Sequence, residues 1–394
     1  MIISFPPRTV LLAAMLGACA SASPSAPPSV IQIEPPRTVP IAMAPSPGAM
    51  LTRSSGLALG SIGTCAWSDE GTVRCWGSGA FRYHAPTIVP GLSHVVAVAI
   101  GVYHACALLE DGTVQCWGTN DHGELGDDTT TARELAAPVP GLSGVVQIHA
   151  ALYATCARKA DSKVMCWGGN EDGQLGDGTR ERKLVPTALP GLGEVADIQL
   201  GSSHACARLA DKTVRCWGRN DNGELGDGTT TSRLSAIEVR ELRAEELVVG
   251  DKHTCALLQG GAVKCWGLNR HGELGDGTTM DHPFPTDVQG LSDVVQLAPG
   301  DGMHACARTA DGGVWCWGWN GDGQIGIGTT TNALTPVRVP KLRGVQRVVM
   351  GIGTTCAVLD SHRARCWGDN SHGQITGIAR LETMVVREPA EVTW

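Results

Sequence analysis

The chain has 394 residues, a formal net charge of −8 at pH 7 and a pI near 5.8. No run of clustered Lys and Arg occurs, so the composition excludes a nucleic-acid backbone as the main partner. Charged residues make up only 18% and Gly reaches 51, while three Phe and three Tyr stand against eleven Trp, so the few large rings mark particular positions.

The first element is a short apolar run, Val10 to Ala18, with Arg8 as the one charge before it. It is too short to span a bilayer and reads as the h-region of a signal, which assigns residues 1–18 to a lipoprotein-type signal peptide. Leu16-Gly17-Ala18-Cys19 resembles the lipobox of bacterial lipoproteins, in which the cysteine becomes the acylated N-terminus. Cys19 is therefore the expected lipidation site, and more than one acyl chain would give stable membrane anchoring. Residues 19–52 carry Pro24, Pro27, Pro28, Pro35, Pro36, Pro40, Pro45 and Pro47. That composition cannot bury enough surface to order itself and predicts an extended tether.

From residue 53 onward the sequence repeats. Seven cysteine pairs occur, Cys65/Cys75, Cys106/Cys116, Cys156/Cys166, Cys206/Cys216, Cys255/Cys265, Cys306/Cys316 and Cys356/Cys366, each ten residues apart, and the second always opens a Cys-Trp-Gly triplet. The first cysteines are separated by 41, 50, 50, 49, 51 and 50 residues, a period that marks a repeat architecture. One unit begins with an apolar run (Val95 to Ile100), continues with His104 to Leu109 and Thr113 to Gly118, and ends after a polar loop with Ala137-Pro138-Val139-Pro140. These are four short strands with turn signals between them, and no stretch carries a helical period. The first strand is apolar on both faces and belongs at the crowded centre; the last contains proline and belongs at an edge. The prediction is an all-β fold, a seven-bladed β-propeller of four-stranded antiparallel blades over residues 53–394.

The middle hairpin can be counted out. A three-residue turn at Glu110-Asp111-Gly112 with Gly112 left-handed sets Leu109 opposite Thr113, Leu108 opposite Val114 and Cys106 opposite Cys116. Such a non-hydrogen-bonded pair brings Cα atoms to about 4.5 Å, within disulfide range. The spacing thus predicts one disulfide in each blade hairpin. Gly71, Gly261 and Gly312 repeat the turn, while Ser162, Lys212 and His362 stand in its left-handed position and must tolerate it. Gaps of ten residues do not suit zinc, which takes cysteines two to four apart, so no metal site is expected; His104, His204, His253 and His304 read as structural hydrogen-bonding residues. Paired cysteines place the chain in an oxidising compartment.

After the Trp, six units carry a stretch of the type Asn170 to Thr179, spaced in Asn, Asp and Gly; the first unit lacks it. Its Asp positions change between copies, which argues against a calcium loop and for Asx-type turns. The loops that follow vary most and are the expected binding surface. Arg133, Arg180, Arg182 and Arg233, in three neighbouring units, are the candidate partner-binding residues.

Taken together, Gly-x-x-His-x-Cys-Ala-Leu, Asp-Gly-x-Val-x-Cys-Trp-Gly and Asn-x-x-Gly-Gln/Glu-Leu-Gly resemble the regulator of chromosome condensation repeat family, from about residue 55 to residue 394. The resemblance implies a seven-bladed propeller; the hairpin cysteines depart from the nuclear type and match exported bacterial relatives. The expected function is a protein-binding or scaffolding module, anchored by lipid in a bacterial cell envelope at the outer membrane, monomeric, with neither cofactor nor catalysis. The partner would be an extracellular or periplasmic protein. The alternative that the family name implies is guanine-nucleotide exchange on a small GTPase, which is cytosolic or nuclear and so conflicts with an export signal. No catalytic set of carboxylates, arginines or Ser/His/Asp stands out from the units.

Overall fold

The computed structural model describes residues 51, 55–78, 83–298, 300–375 and 384–394. The signal peptide, the Cys19 lipidation site and the tether up to residue 50 lie outside the described residues. The described residues form seven four-stranded antiparallel sheets. The first blade is β1 (Gly56–Leu59), β2 (Gly63–Trp67), β3 (Val73–Gly77) and β4 (Tyr83–Ile88), and each later blade takes the next four strands in chain order, ending with β25 (Arg347–Met350) to β28 (Val385–Thr393).

Blade two shows why the strands sit where they do. β5 (Val95–Ile100) is buried or half-buried along its length and packs against the first strands of both neighbouring blades, whereas β8 (Arg133–Pro138) is half-buried to exposed. The run apolar on both faces is innermost and the proline-bearing strand outermost, as the pattern requires.

The hairpin between β6 (His104–Leu109) and β7 (Val114–Gly118) has the counted register, with Leu108 opposite Val114 and Cys106 opposite Cys116. The same register recurs in the other six blades, where the two cysteines of each hairpin again stand directly opposite. All seven expected bridges form, each across a Cα separation of 4.1 Å. Cys65 is bonded to Cys75, Cys106 to Cys116, Cys156 to Cys166 and Cys206 to Cys216. Cys255 is bonded to Cys265, Cys306 to Cys316 and Cys356 to Cys366. That separation is slightly tighter than the 4.5 Å or so of an ordinary non-hydrogen-bonded pair, and the fourteen cysteines are at most 2% exposed.

Ser162 and Lys212 hold φ of 65° and 71°, taking the left-handed place that Gly112 takes at 77°. His362 differs: it does not adopt positive φ. There the Asp360 carboxylate accepts the His362 amide at 3.0 Å, and Leu359 and Asp360 both donate to the Arg363 carbonyl. An Asx-type turn replaces the left-handed residue.

The Cys-Trp-Gly triplet has a structural reason. In every blade the pairing of third and fourth strands shifts between the triplet's Cys and Gly, so the Trp sits at a bulge and turns into the space between blades. All seven of these Trp are at most 1% exposed. The glycine that follows has φ near 100°, and at Gly218 a Cβ would lie 2.6 Å from the Ser203 carbonyl oxygen. Only glycine fits there.

Among the described residues no strand is exchanged between the last and first blades. That seam is held as the other junctions are: Trp76 Nε1 and Thr64 Oγ1 both donate to the Gln374 carbonyl, at 3.0 and 2.6 Å.

Candidate protein-binding face and channel

The loops between third and fourth strands of blades two to seven are built on one buried asparagine each. The Asn220 side chain accepts the Leu225 amide at 2.9 Å and donates to the carbonyls of Thr229 and Thr231 at 3.0 and 3.1 Å. Asn120, Asn170, Asn269, Asn320 and Asn370 accept the equivalent amide at the same distance. Asp227 Oδ1 in turn accepts the Thr229 amide and hydroxyl at 2.9 and 2.7 Å. These are Asx-type turns, and their aspartate oxygens are occupied by the chain itself. Burial raises the Asp227 carboxyl, but hydrogen bonds from Thr229 and Arg233 outweigh it and hold the group below its ordinary value.

Neighbouring blades are joined through a shared carbonyl. Trp266 Nε1 donates to Glu224 O at 2.8 Å, and Thr254 Oγ1 donates to the same oxygen at 3.1 Å. Because that hydroxyl proton is committed, His204 Nε2 donates to Thr254 Oγ1, 2.9 Å away. His104 with Thr155 and His304 with Thr355 repeat the pair. Burial pushes the imidazoles of His104, His204, His253 and His304 down to about 4, 3, 4 and 3. All four are neutral, and His104, His204 and His304 serve as structural donors.

The four candidate arginines fall into two kinds. Arg133 and Arg233 open the outer strands β8 and β16 (Arg233–Glu238) rather than lying in the loops. Each pairs with a nearly buried aspartate of its own blade, Asp127 at 2.5 Å and Asp227 at 2.8 Å. Lys183 and His282 do the same for Asp177 and Asp276. Arg180 and Arg182 are exposed and rest on carbonyls, Arg180 on Glu171 O at 2.6 Å and Arg182 on Asp121 O of the preceding blade at 2.9 Å. The outer part of this face thus carries two exposed guanidinium groups beside two that are structurally engaged.

Closer to the axis the same face is acidic and aromatic, a feature not read from the sequence because the residues come from different repeats. His122 stacks on Tyr153 of the next blade with centroids 4.3 Å apart. Burial and then repulsion from Asp251 raise the Asp301 carboxyl well above the carboxylate range; burial and then Asp369 raise Asp322. Among the described residues several concavities occur: an open one of about 650 Å³ runs along Asp227, Thr229, Arg233 and Arg240, and two others bear on the seam and the axis. One, of about 370 Å³, lies at the seam beside Asp69, Glu70, Arg74, His362 and Trp394. The other, of about 220 Å³, opens among the inner strands beside His149, Gln199, Asp301 and Arg347.

A family model described as the RCC1-like domain matches residues 34–303, and two models of the regulator of chromosome condensation (RCC1) repeat match residues 311–358 and 345–374. The ultraviolet-B receptor UVR8 of Arabidopsis thaliana is 34% identical over 98 residues, 24% of this chain and 22% of that protein. The human X-linked retinitis pigmentosa GTPase regulator is 32% identical over 113 residues, 28% of this chain and 11% of that protein. The matched stretch therefore spans less than a quarter of either relative. Among solved structures, Prp20p of Saccharomyces cerevisiae, reported with its binding to Gsp1p and histones, superposes with a TM-score of 0.73 at 19% identity, over 88% of this chain and 87% of that one. At that identity the likeness is one of fold.

Proposed function

The chain belongs to the RCC1-like family of seven-bladed propellers, and from that premise we propose that it is an extracytoplasmic protein-binding module, anchored by lipid at Cys19 in a bacterial cell envelope and without chemistry of its own. The observation that carries this reading is the set of seven hairpin disulfides, each buried between strands whose register already brings the cysteines together. Such pairs form in an oxidising compartment, away from the small GTPases that the exchange-factor reading needs. Proteins of the family include a receptor and a GTPase regulator by name, so recognition of a protein on a propeller face is consistent with both readings.

The proposed contact surface is the face of the loops between third and fourth strands, with Arg180 and Arg182 free to engage a partner and Arg133 and Arg233 beside them. Capture from an envelope or extracellular protein mixture with the Cys19→Ser chain tests the binding role. A parallel assay of nucleotide release from small GTPases separates the alternative: accelerated release would replace the present reading with the exchange-factor one.

A further inference from the structure

The inner cavity of about 220 Å³ has apolar walls and opposite charges at its two ends. Leu57, Leu59, Val98, Ile100, Ile148 and Val349 line its length. Arg347 lines one end: it opens β25 beside β1, where its Nη2 makes a long 3.5 Å contact with the Leu57 carbonyl. Asp301 lines the other, in a loop packed on Met350, the last residue of β25. The approach is so close that a Cβ at Gly300 would lie 2.6 Å from the Met350 carbonyl carbon. From Arg347 to Met350 the strand advances by three residues, about 10 Å.

Neither charge is matched within the chain. Arg158 and Arg208 act on Asp197, and Arg208 and Arg308 act on Glu246, so these five groups form an axial network of their own. Arg347 stands outside it; burial is the one influence that shifts its guanidinium, downward. Among the described residues no ion pair reaches Arg347 or Asp301. The one charge acting on Asp301 is the like charge of Asp251. A half-buried cation and a half-buried acid each call for a partner of opposite sign, and neither supplies it to the other. The first blade adds a ring to the same cavity. Trp67 lines it at the position that Leu108, Arg158, Arg208, Leu257, Arg308 and Val358 hold in the other blades. It is 6% exposed, and its Nε1 is buried without a partner.

We propose that this cavity binds a small zwitterion of dipeptide length, with its carboxylate on Arg347, its ammonium on Asp301 and its apolar side chain against the aliphatic walls. A guanidinium takes a carboxylate through paired N–H donors, and a carboxylate accepts from an ammonium. At about 220 Å³ the cavity falls below the ~300 Å³ at which sites for drug-sized ligands begin. A dipeptide also supplies the charge separation that a single α-amino acid lacks. The site is independent of Arg180 and Arg182 and requires no protein partner.

The test is isothermal titration of the full chain with glycyl-leucine, its N-acetyl form, its C-terminal amide and free leucine. Saturable one-to-one binding of glycyl-leucine is expected, weaker by about tenfold or more for either blocked form, since each loses a charge-assisted contact. Leucine, whose two charges share one carbon, should bind as weakly as the blocked forms. The variants mirror the ligands. Arg347→Gln should no longer distinguish glycyl-leucine from its amide, and Asp301→Asn should no longer distinguish it from the N-acetyl form. No binding of glycyl-leucine at millimolar concentration overturns the proposal. So does an affinity for a blocked form or for leucine equal to that for glycyl-leucine, or a discrimination that survives in both variants. Should a variant fail to fold, the wild-type series decides alone: a preference for glycyl-leucine over both blocked forms supports the site, and its absence rejects it.

Discussion

Thr254 and Trp266 of the fifth blade donate to one oxygen, the Glu224 carbonyl of the fourth, from 3.1 and 2.8 Å. The hydroxyl then serves as acceptor for His204, so a four-member chain of hydrogen bonds crosses each such junction. The sequence varies in step with it. Ala205 follows a blade with Ala154, whereas Thr155, Thr254 and Thr355 follow blades with His104, His204 and His304. His253 is the exception, since Ala305 stands where its threonine would be.

A double-mutant cycle on His204 and Thr254 should therefore show coupling. Thr254→Ala leaves a buried imidazole N–H unpaired and should cost about 1 to 3 kcal/mol. The double His204→Ala/Thr254→Ala variant, which reproduces the natural Ala154/Ala205 pair, should cost less than the sum of the singles. Strict additivity in denaturant unfolding would contradict the relay.

Peptide mapping without reduction should find seven bridges, each closing its own hairpin. A Cys206→Ser/Cys216→Ser chain should still fold and lose about 3 kcal/mol, as a short closed loop implies. Bridges between blades would be incompatible with the register.

The arginines should separate by mutation. Arg182→Ala, exposed and resting on a carbonyl, should change stability by no more than about 0.5 kcal/mol. Arg233→Ala leaves the nearly buried Asp227 without its cation and should cost about 1 to 2 kcal/mol. If Arg182 contributes to partner binding, its variant weakens capture at unchanged stability; equal stability losses at both sites would refute the distinction.

Buried titrating groups set opposite pH slopes. The imidazoles at positions 104, 204, 253 and 304 have folded pKa values near 4 and 3, below the ordinary 6.5. The unfolded chain therefore binds protons first, and stability falls as pH drops from about 6.5 toward 4. Glu273, 0% exposed, is pushed up to about 7 by burial. Its folded carboxyl holds a proton that the unfolded one releases, so it lowers stability as pH rises from about 4.5 to 7. Glu273→Gln, the residue of the equivalent positions 174, 324 and 374, should stabilise by roughly 1 to 3 kcal/mol at pH 8 and by nothing below pH 4. Unfolding curves at the two pH values check this; a gain that does not depend on pH would exclude the buried carboxylate as its source.

Anchoring is tested by detergent phase partitioning. Wild type should enter the detergent phase and the Cys19→Ser chain the aqueous one, since two or more acyl chains hold a protein where none does not. Equal recovery of both in the aqueous phase would point to a secreted protein with an ordinary signal.

The sequence by itself determined the architecture. A ten-residue cysteine spacing around a three-residue turn admits one hairpin register, and an apolar run on both faces followed by a proline-bearing strand admits one order from axis to rim. These are local relations within one repeat, and strand periodicity makes them readable. Even there His362 adopted a turn that its register did not announce, because the Asp360 side chain supplied the hydrogen bond that a left-handed residue otherwise provides.

Tertiary structure decided how the long loops fold back on their own blade and everything that depends on two repeats meeting. Arg133 and Arg233 looked like free loop cations, yet each is held by an aspartate six residues earlier that the Asn-centred loop folds back onto it. The acidic pairs Asp251/Asp301 and Asp322/Asp369 join residues about fifty positions apart. Ring closure creates these neighbours. A side chain's charge environment is set by the blade beside it, and no spacing within a single unit records which blade residues will face one another across the junction.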